Sequence, residues 1–378
     1  AEIYTPTGVA ARRGRAMSEL RHIPRGEVEV TDGIIVYVGP TRSNHTAAEG
    51  VVTIDAGGKC LLPGFVDSHT HMVFGGWRAD EFGWRMRGDS YMSIMERGGG
   101  IVNTVSATRS CSSAELEERT LGFLRLMSSM GVTTVEAKSG YGLDRESELR
   151  MLEVMQSLNA REDSPVAIDP TFMGAHAMPA DFDGSSDDYI ALLIDMLPEV
   201  KSRGLARHCD VFCEKGVFSI DQSRRLLLAA RRAGLLPRMH ADEIVNTGGA
   251  QLAAEIGALS ADHLLHVSDE GIAALAASST VATLLPLTAF TLREPYAPGR
   301  KLIDSGCAVA LASDFNPGSC LSCSIPLLIA LACIYMNFSA EEAVTALTLN
   351  GAAALGLADS IGSIEVGKQG DLVLLDFD

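Results

Sequence analysis

Two histidines one residue apart, His69 and His71, follow the short apolar run Gly64-Phe-Val-Asp67. In an extended segment residues i and i+2 point to the same side, so both imidazoles can meet one ion. Other apolar runs carry groups of the same kind, Gly174-Ala-His176, His240-Ala-Asp-Glu243 and Asp314 after a run and Asp262-His263 within one. Five of the nine histidines in the chain of 378 residues fall at such positions. His69, His71, His240 and Asp314 together offer three imidazoles and a carboxylate. That donor set suits Zn²⁺, or Fe²⁺ as a harder alternative, with a water as an added ligand. An ion so held lowers the pKa of its water towards ~7 and supplies hydroxide at neutral pH. Glu243, three residues beyond His240, is placed to accept or donate a proton beside the ion. His263 is the candidate for activating the water or steadying a tetrahedral oxyanion. His266 lies an odd number of residues from His263, faces the other way in a strand, and is set aside.

These residues need a scaffold that brings distant strand ends together. Capping boxes at Ser112-x-x-Glu115, Ser219-x-x-Gln222 and Ser339-x-x-Glu342 predict helix starts. Between the helices lie eight apolar runs: Gly64–Asp67, Val132–Ala137, Val166–Met173, Cys209–Cys213, Leu236–Met239, Ala261–Leu265, Val281–Leu285 and Cys307–Ala312. Eight βα units predict an α/β fold, a (β/α)₈ TIM-type barrel, with a doubly wound open sheet as the alternative. A barrel of this kind carries its chemistry at the C-terminal ends of its strands, where these polar residues fall. The long insertion from His71 to Gly131 would then sit on the catalytic face. The flanks read differently. Glu27–Val30, the turn at Asp32-Gly33, Ile34–Val38 and Val51–Ile54 read as strands and turns, as do Ser363–Val366 and Asp371–Asp376. Residues 1–60 with 363–378 are therefore expected to form a small β-sandwich domain from both termini, incomplete at the printed ends, around a catalytic barrel of residues 61–362.

Composition narrows the partners. With 48 acidic against 31 basic residues the formal net charge is −17, the wrong sign for nucleic acid or an anionic membrane surface. Apolar residues at 47% and charged ones at 21% describe a globular chain. Its longest apolar stretch, Leu327–Met336, is far shorter than the ~18 residues a membrane span needs. The first residues show no secretory pattern, and eight cysteines are too sparse for a disulfide scaffold, so reduced thiols in the cytoplasm are expected. Cys320-Leu-Ser-Cys323 matches a redox or zinc pair but has no second pair nearby, and Cys209 and Cys213 read as core thiols.

With those residues placed, the sequence resembles the imidazolonepropionase family of the amidohydrolase superfamily. The superfamily carriers are Pro63-Gly-Phe-Val-Asp-Ser-His-Thr-His71, His240-Ala-Asp-Glu243, Ser260-Ala-Asp-His263 and Ala312-Ser-Asp314. The family-specific ones are Val73-Phe-Gly-Gly-Trp-Arg78, Gly98-Gly-Gly-Ile101, Glu136-Ala-Lys-Ser-Gly-Tyr-Gly142, Thr171-Phe-Met-Gly-Ala-His-Ala177, Asp210-Val-Phe-Cys-Glu214 and Asp314-Phe-Asn-Pro-Gly-Ser319. The resemblance implies one metal ion per chain, Zn or Fe, on His69, His71, His240 and Asp314. It implies substrate-binding roles for Arg78, Tyr141, His176, Glu243, Asn316, Gly318 and Ser319, proton transfer by Glu243, His263 and Asp314, and a homodimer. The implied reaction opens the ring amide of 4-imidazolone-5-propanoate, an anion, to N-formimidoyl-L-glutamate. Arg78 can grip a carboxylate bidentately and Tyr141 can add a hydroxyl donor. Gly75 and Gly76 would let the backbone turn after the metal pair. Lys138 resembles the family's own lysine and implies no second metal. A cytosine-type deaminase would use the same metal set but has no carboxylate to clamp, and a non-catalytic scaffold would not need all four ligands.

Overall fold

A computed structural model describes residues 1–42, 50–89, 93, 97 and 99–376. Gly98 of the glycine-rich motif lies outside the described residues. The N-terminal part forms short strands: β1 (Glu2–Thr5), β2 (Arg21–Ile23), β3 (Gly26–Thr31), β4 (Ile34–Pro40) and β5 (Cys60–Pro63). Asp32 (φ 50°) and Gly33 (φ 79°) are both left-handed, as the tight β3–β4 turn requires. From the other end of the chain, β14 (Leu372–Leu374) pairs antiparallel with β5, giving the sheet order β14-β5-β1-β2. Ile3, Ile23 and Ile35 pack with Ile364 in one apolar cluster.

Two expected strands are corrected. Val51–Ile54 forms no strand, and Val52 is 85% exposed. Among the described residues no strand pairs with the run, so its apolar side chains have no sheet face to bury. Ser363–Val366 is not a strand either. Ile364 instead plugs the cluster, and its N–H donates to Thr5 Oγ1 at 2.8 Å.

All eight middle runs form strands: β6 (Phe65–Asp67), β7 (Val132–Lys138), β8 (Ala167–Ala175), β9 (His208–Cys213), β10 (Leu236–Ala241), β11 (Ser260–His263), β12 (Val281–Leu284) and β13 (Val309–Leu311). They make one parallel sheet in chain order, with β6 and β13 at its two ends. Closure happens just beyond those strands. Thr70 bridges in parallel to Phe315, Asp314 N–H donates to His69 C=O at 3.0 Å, and His71 N–H donates to Phe315 C=O at 2.9 Å. The expected (β/α)₈ barrel is therefore present, and its seam runs through candidate ligand residues.

Helices between the strands start where the capping boxes place them. The boxes at Ser112, Ser219 and Ser339 are complete. A fourth, at Ser185, uses Asp188 in place of the Glu or Gln that the signature requires. The chain bends at Gly75, as expected. A Cβ there would lie 2.3 Å from the Ala107 carbonyl oxygen, so glycine is needed for close approach of the helix Ile101–Ser110. No helix among the described residues is long and apolar enough to cross a membrane.

Candidate active site

His69 and His71 continue the β6 strand, and His240 stands near the end of β10. All three are buried, with ring nitrogens within 4.8 Å of one another. His71 Nε2 and His240 Nε2 are 3.3 Å apart. Asp314, beyond β13, brings Oδ1 to 3.6 Å from His69 Nε2 and 3.7 Å from His71 Nε2. His69 Nε2 and Asp314 Oδ1 are buried without a hydrogen-bond partner. Leaving buried polar atoms unsatisfied costs about 1–3 kcal/mol each, more for a charged group. A cation among these four side chains would satisfy both, so the donor set fits a metal ion.

The backs of two imidazoles are fixed. His69 Nδ1 donates to Asp262 Oδ2 at 2.7 Å, and His240 Nδ1 donates to Asp210 Oδ1 at 3.1 Å. A carboxylate only accepts, so each Nδ1 carries the hydrogen and each Nε2 lone pair faces the shared space. Burial above all, with neighbouring cationic groups, holds His69 and His71 well below the usual imidazole range, in the neutral form that binds metals.

Sequence reasoning gave Asp210 and Asp262 no role, although both carboxylates interrupt apolar strands. Nor did it find their buried partners. Lys138 Nζ donates to Glu136 Oε1 at 2.8 Å and Asp210 Oδ2 at 2.7 Å, while Arg238 donates to Asp262 Oδ2 at 3.2 Å and to the Ser68 carbonyl at 2.6 Å. Burial opposes the charge on Lys138, but Asp210 and Glu136 outweigh it and raise its pKa. The residue is an ammonium held by two carboxylates.

Above the imidazoles opens a cavity of about 780 Å³, whose wall includes His71, His240 and Asp314 together with His263, Glu243, His176, Tyr141, Arg78, Asn316 and Ser319. Asp242 (φ 52°), His263 (φ 77°) and Asp314 (φ 55°) are left-handed, so the chain turns sharply at the strand ends that carry the site. Asp242 accepts N–H bonds from Gly248, Gly249 and Ala250 at 3.1 Å each, tying down the loop that presents Glu243. Glu243 Oε2 lies 3.5 Å from His263 Nε2. Burial first, then the charge of Asp314, pushes the Glu243 carboxyl up to about 8.

His176 stacks on His71 with ring centroids 4.8 Å apart, and its Nδ1 donates to the Gly140 carbonyl at 3.0 Å. Burial, reinforced by His240, takes its pKa down to about 3. Tyr141 is buried in the same turn. Glu148 accepts from the N–H groups of Gly140, Gly142 and Leu143 at 2.8–3.0 Å and so fixes that loop.

Arg78 lies directly over Gly318. A Cβ at Gly318 would fall 2.1 Å from the guanidinium, so the glycine is the floor under the arginine and does not itself line the cavity. Arg78 Nε donates to the buried Glu81 at 3.1 Å. Asn316 organises this loop. Its Oδ1 accepts from Gly318 N–H at 2.9 Å and Ser319 N–H at 2.7 Å, and its Nδ2 donates to the Asp314 carbonyl at 2.7 Å. The eight cysteines are free, and Cys320 and Cys323 are buried as core thiols.

The barrel with this strand-end cluster defines a class, and residues 60–378 match that class, the amidohydrolase family. Over 379 residues the chain is 64% identical to the imidazolonepropionase of Phocaeicola vulgatus, covering 100% of this chain and 91% of the relative. It is 53% identical over 379 residues to that of Clostridium tetani, covering 100% and 90%. Among solved structures, the 5-methylcytosine deaminase of Klebsiella pneumoniae liganded with phosphonocytosine superposes with a TM-score of 0.74. It is 17% identical, with 100% of this chain and 92% of the other covered, a likeness of fold. The chain belongs to the imidazolonepropionase family within the amidohydrolases.

Proposed function

We propose that the protein hydrolyses the ring amide of 4-imidazolone-5-propanoate to N-formimidoyl-L-glutamate, a step of histidine degradation. The observation that carries this reading is the placement of Arg78, braced by Glu81 over Gly318, on the wall of the cavity that His71, His240 and Asp314 also line. A net-acidic protein that presents a guanidinium beside a metal centre is built for a small anion with a hydrolysable carbonyl.

One ion per chain, Zn or Fe, would be held by His69, His71, His240 and Asp314, where it would polarise a carbonyl and acidify a water. His263 and Asp314 take the proton of the attacking water, and His263 steadies the oxyanion. Water oxygen bonds to the ring carbon as the ring C–N bond breaks. Glu243, hydrogen-bonded to the ring nitrogens, orients the ring and passes a proton to the leaving nitrogen. Arg78 grips the propanoate, Tyr141 adds a hydroxyl donor, and His176 and Ser319 complete the wall, while Asn316 and Gly318 shape the loop under Arg78. The same reading has a homodimer working in the cytoplasm, with residues 1–60 and 363–378 forming a separate unit from the barrel at 61–362.

The test is a turnover assay with metal-quantified protein on imidazolonepropanoate, cytosine and a hydantoin in parallel. Turnover of imidazolonepropanoate alone is expected. Turnover of cytosine in its place would overturn the assignment.

A further inference from the structure

Beneath the four candidate ligands lies a layer of buried charge that the reaction does not use. Lys138 on β7, Asp210 on β9 and Asp262 on β11 come from alternate strands, the arrangement by which barrel interiors stack side chains in layers. All three are fully buried. Lys138 Nζ is 2.7 Å from Asp210 Oδ2 and 3.9 Å from Asp262 Oδ2. Asp210 turns its other oxygen to His240 Nδ1, and Asp262 holds His69 Nδ1. A single ammonium therefore stands behind both carboxylates that fix the two imidazoles.

We propose that Lys138 is a positioning residue for the metal centre. By holding Asp210, with Asp262 in reach, it locks the Nδ1–H tautomer and ring angle of His240 and His69, so that both Nε2 lone pairs converge. This rests on the reading of His69, His71, His240 and Asp314 as the metal site. Glu136 Oε1, 2.8 Å from Nζ, pins the ammonium from its own strand, and Arg238 holds the same Oδ2 of Asp262 that meets His69 Nδ1. Carboxylates that orient ligating histidines commonly change metal affinity about 10- to 100-fold when removed. Lys138 acts one bond further back.

The sign of the effect separates this role from a plain electrostatic one. A buried cation that merely sits near the site repels the ion, so removing it tightens binding. A cation that aligns the ligands loosens binding when removed. The experiment measures Zn²⁺ affinity by chelator competition, and the visible spectrum of the Co²⁺ form, for the parent, Lys138→Met and the near-isosteric Asp210→Asn. Circular dichroism and Tm of the metal-free proteins check the fold. Weaker Zn²⁺ binding by about 10- to 100-fold in both variants, with an altered Co²⁺ spectrum, is expected. Unchanged or tighter binding in a folded Lys138→Met protein overturns the inference. If that variant does not fold, parent-like affinity and spectrum in Asp210→Asn overturn it equally. A parent protein that binds no ion would instead overturn the metal site itself.

Discussion

Thr288 Oγ1 donates to Asp314 Oδ2 at 2.6 Å, which leaves Oδ1 as the one carboxylate oxygen turned to the imidazoles of His69 and His71. Thr288 is buried at the start of the short helix that follows β12, and no motif pointed to it. Thr288→Val keeps the shape and removes the donor. It is expected to weaken metal binding by about tenfold, as loss of an outer hydrogen bond does. Chelator competition measures this, and parent-like affinity would show that the hydroxyl does not orient the ligand.

The ligands themselves should be less forgiving. His69→Ala or Asp314→Ala is expected to lose the bound ion and nearly all turnover. Metal analysis by mass spectrometry paired with the activity assay is the check, and a metal-free variant with near-normal turnover would sink the whole scheme.

The proposed carboxylate clamp can be probed at two positions. Arg78→Ala is expected chiefly to raise KM, with a smaller change in kcat, because it removes a contact remote from the bond that breaks. Gly318→Ala should mimic it, since the added Cβ would occupy the guanidinium's place. If both variants keep the parent KM, the clamp has been assigned to the wrong residue.

Glu243 gives a pH signature in the metal-free protein. Its carboxyl is pushed up to about 8 by burial, above the ordinary value of 4.5, so the fold favours the protonated form. Ionisation then works against folding, and this contribution is lost as pH rises from about 4.5 to about 8. Glu243→Gln cannot ionise and should flatten the fall of Tm across that window. A Tm profile identical to the parent's would place the perturbed group elsewhere.

Much of the barrel and its histidine cluster was legible because strand periodicity and polar strand ends are local signals. His69 and His71 advertise themselves by spacing, and His240 and Asp314 by following apolar runs. The supporting layer was not legible. Lys138 and Asp210 are 72 residues apart, Arg238 and Asp262 24 apart, and only strand adjacency brings each pair together. Single charges inside apolar strands were the available clue. At the termini, β1, β2 and β5 have three or four residues each, too few to display a period, while the apolar run Val51–Ile54 forms no strand. Gly318 was read as substrate-binding, whereas its closeness to Arg78 depends on packing between segments 240 residues apart.

The seam between β6 and β13 gives the site a place in the order of folding. Asp67 accepts from Ser313 N–H at 2.9 Å across 246 residues of chain, and the Thr70–Phe315 bridge lies beside it. Such distant contacts carry a large loop-closure cost unless the intervening units have already docked. During synthesis His69 and His71 emerge first, and Asp314 only after seven strands have been made. A truncated or half-folded chain thus has a pair of imidazoles and no complete cage. Metal binding at the proposed site would then report that the two ends of the barrel have met.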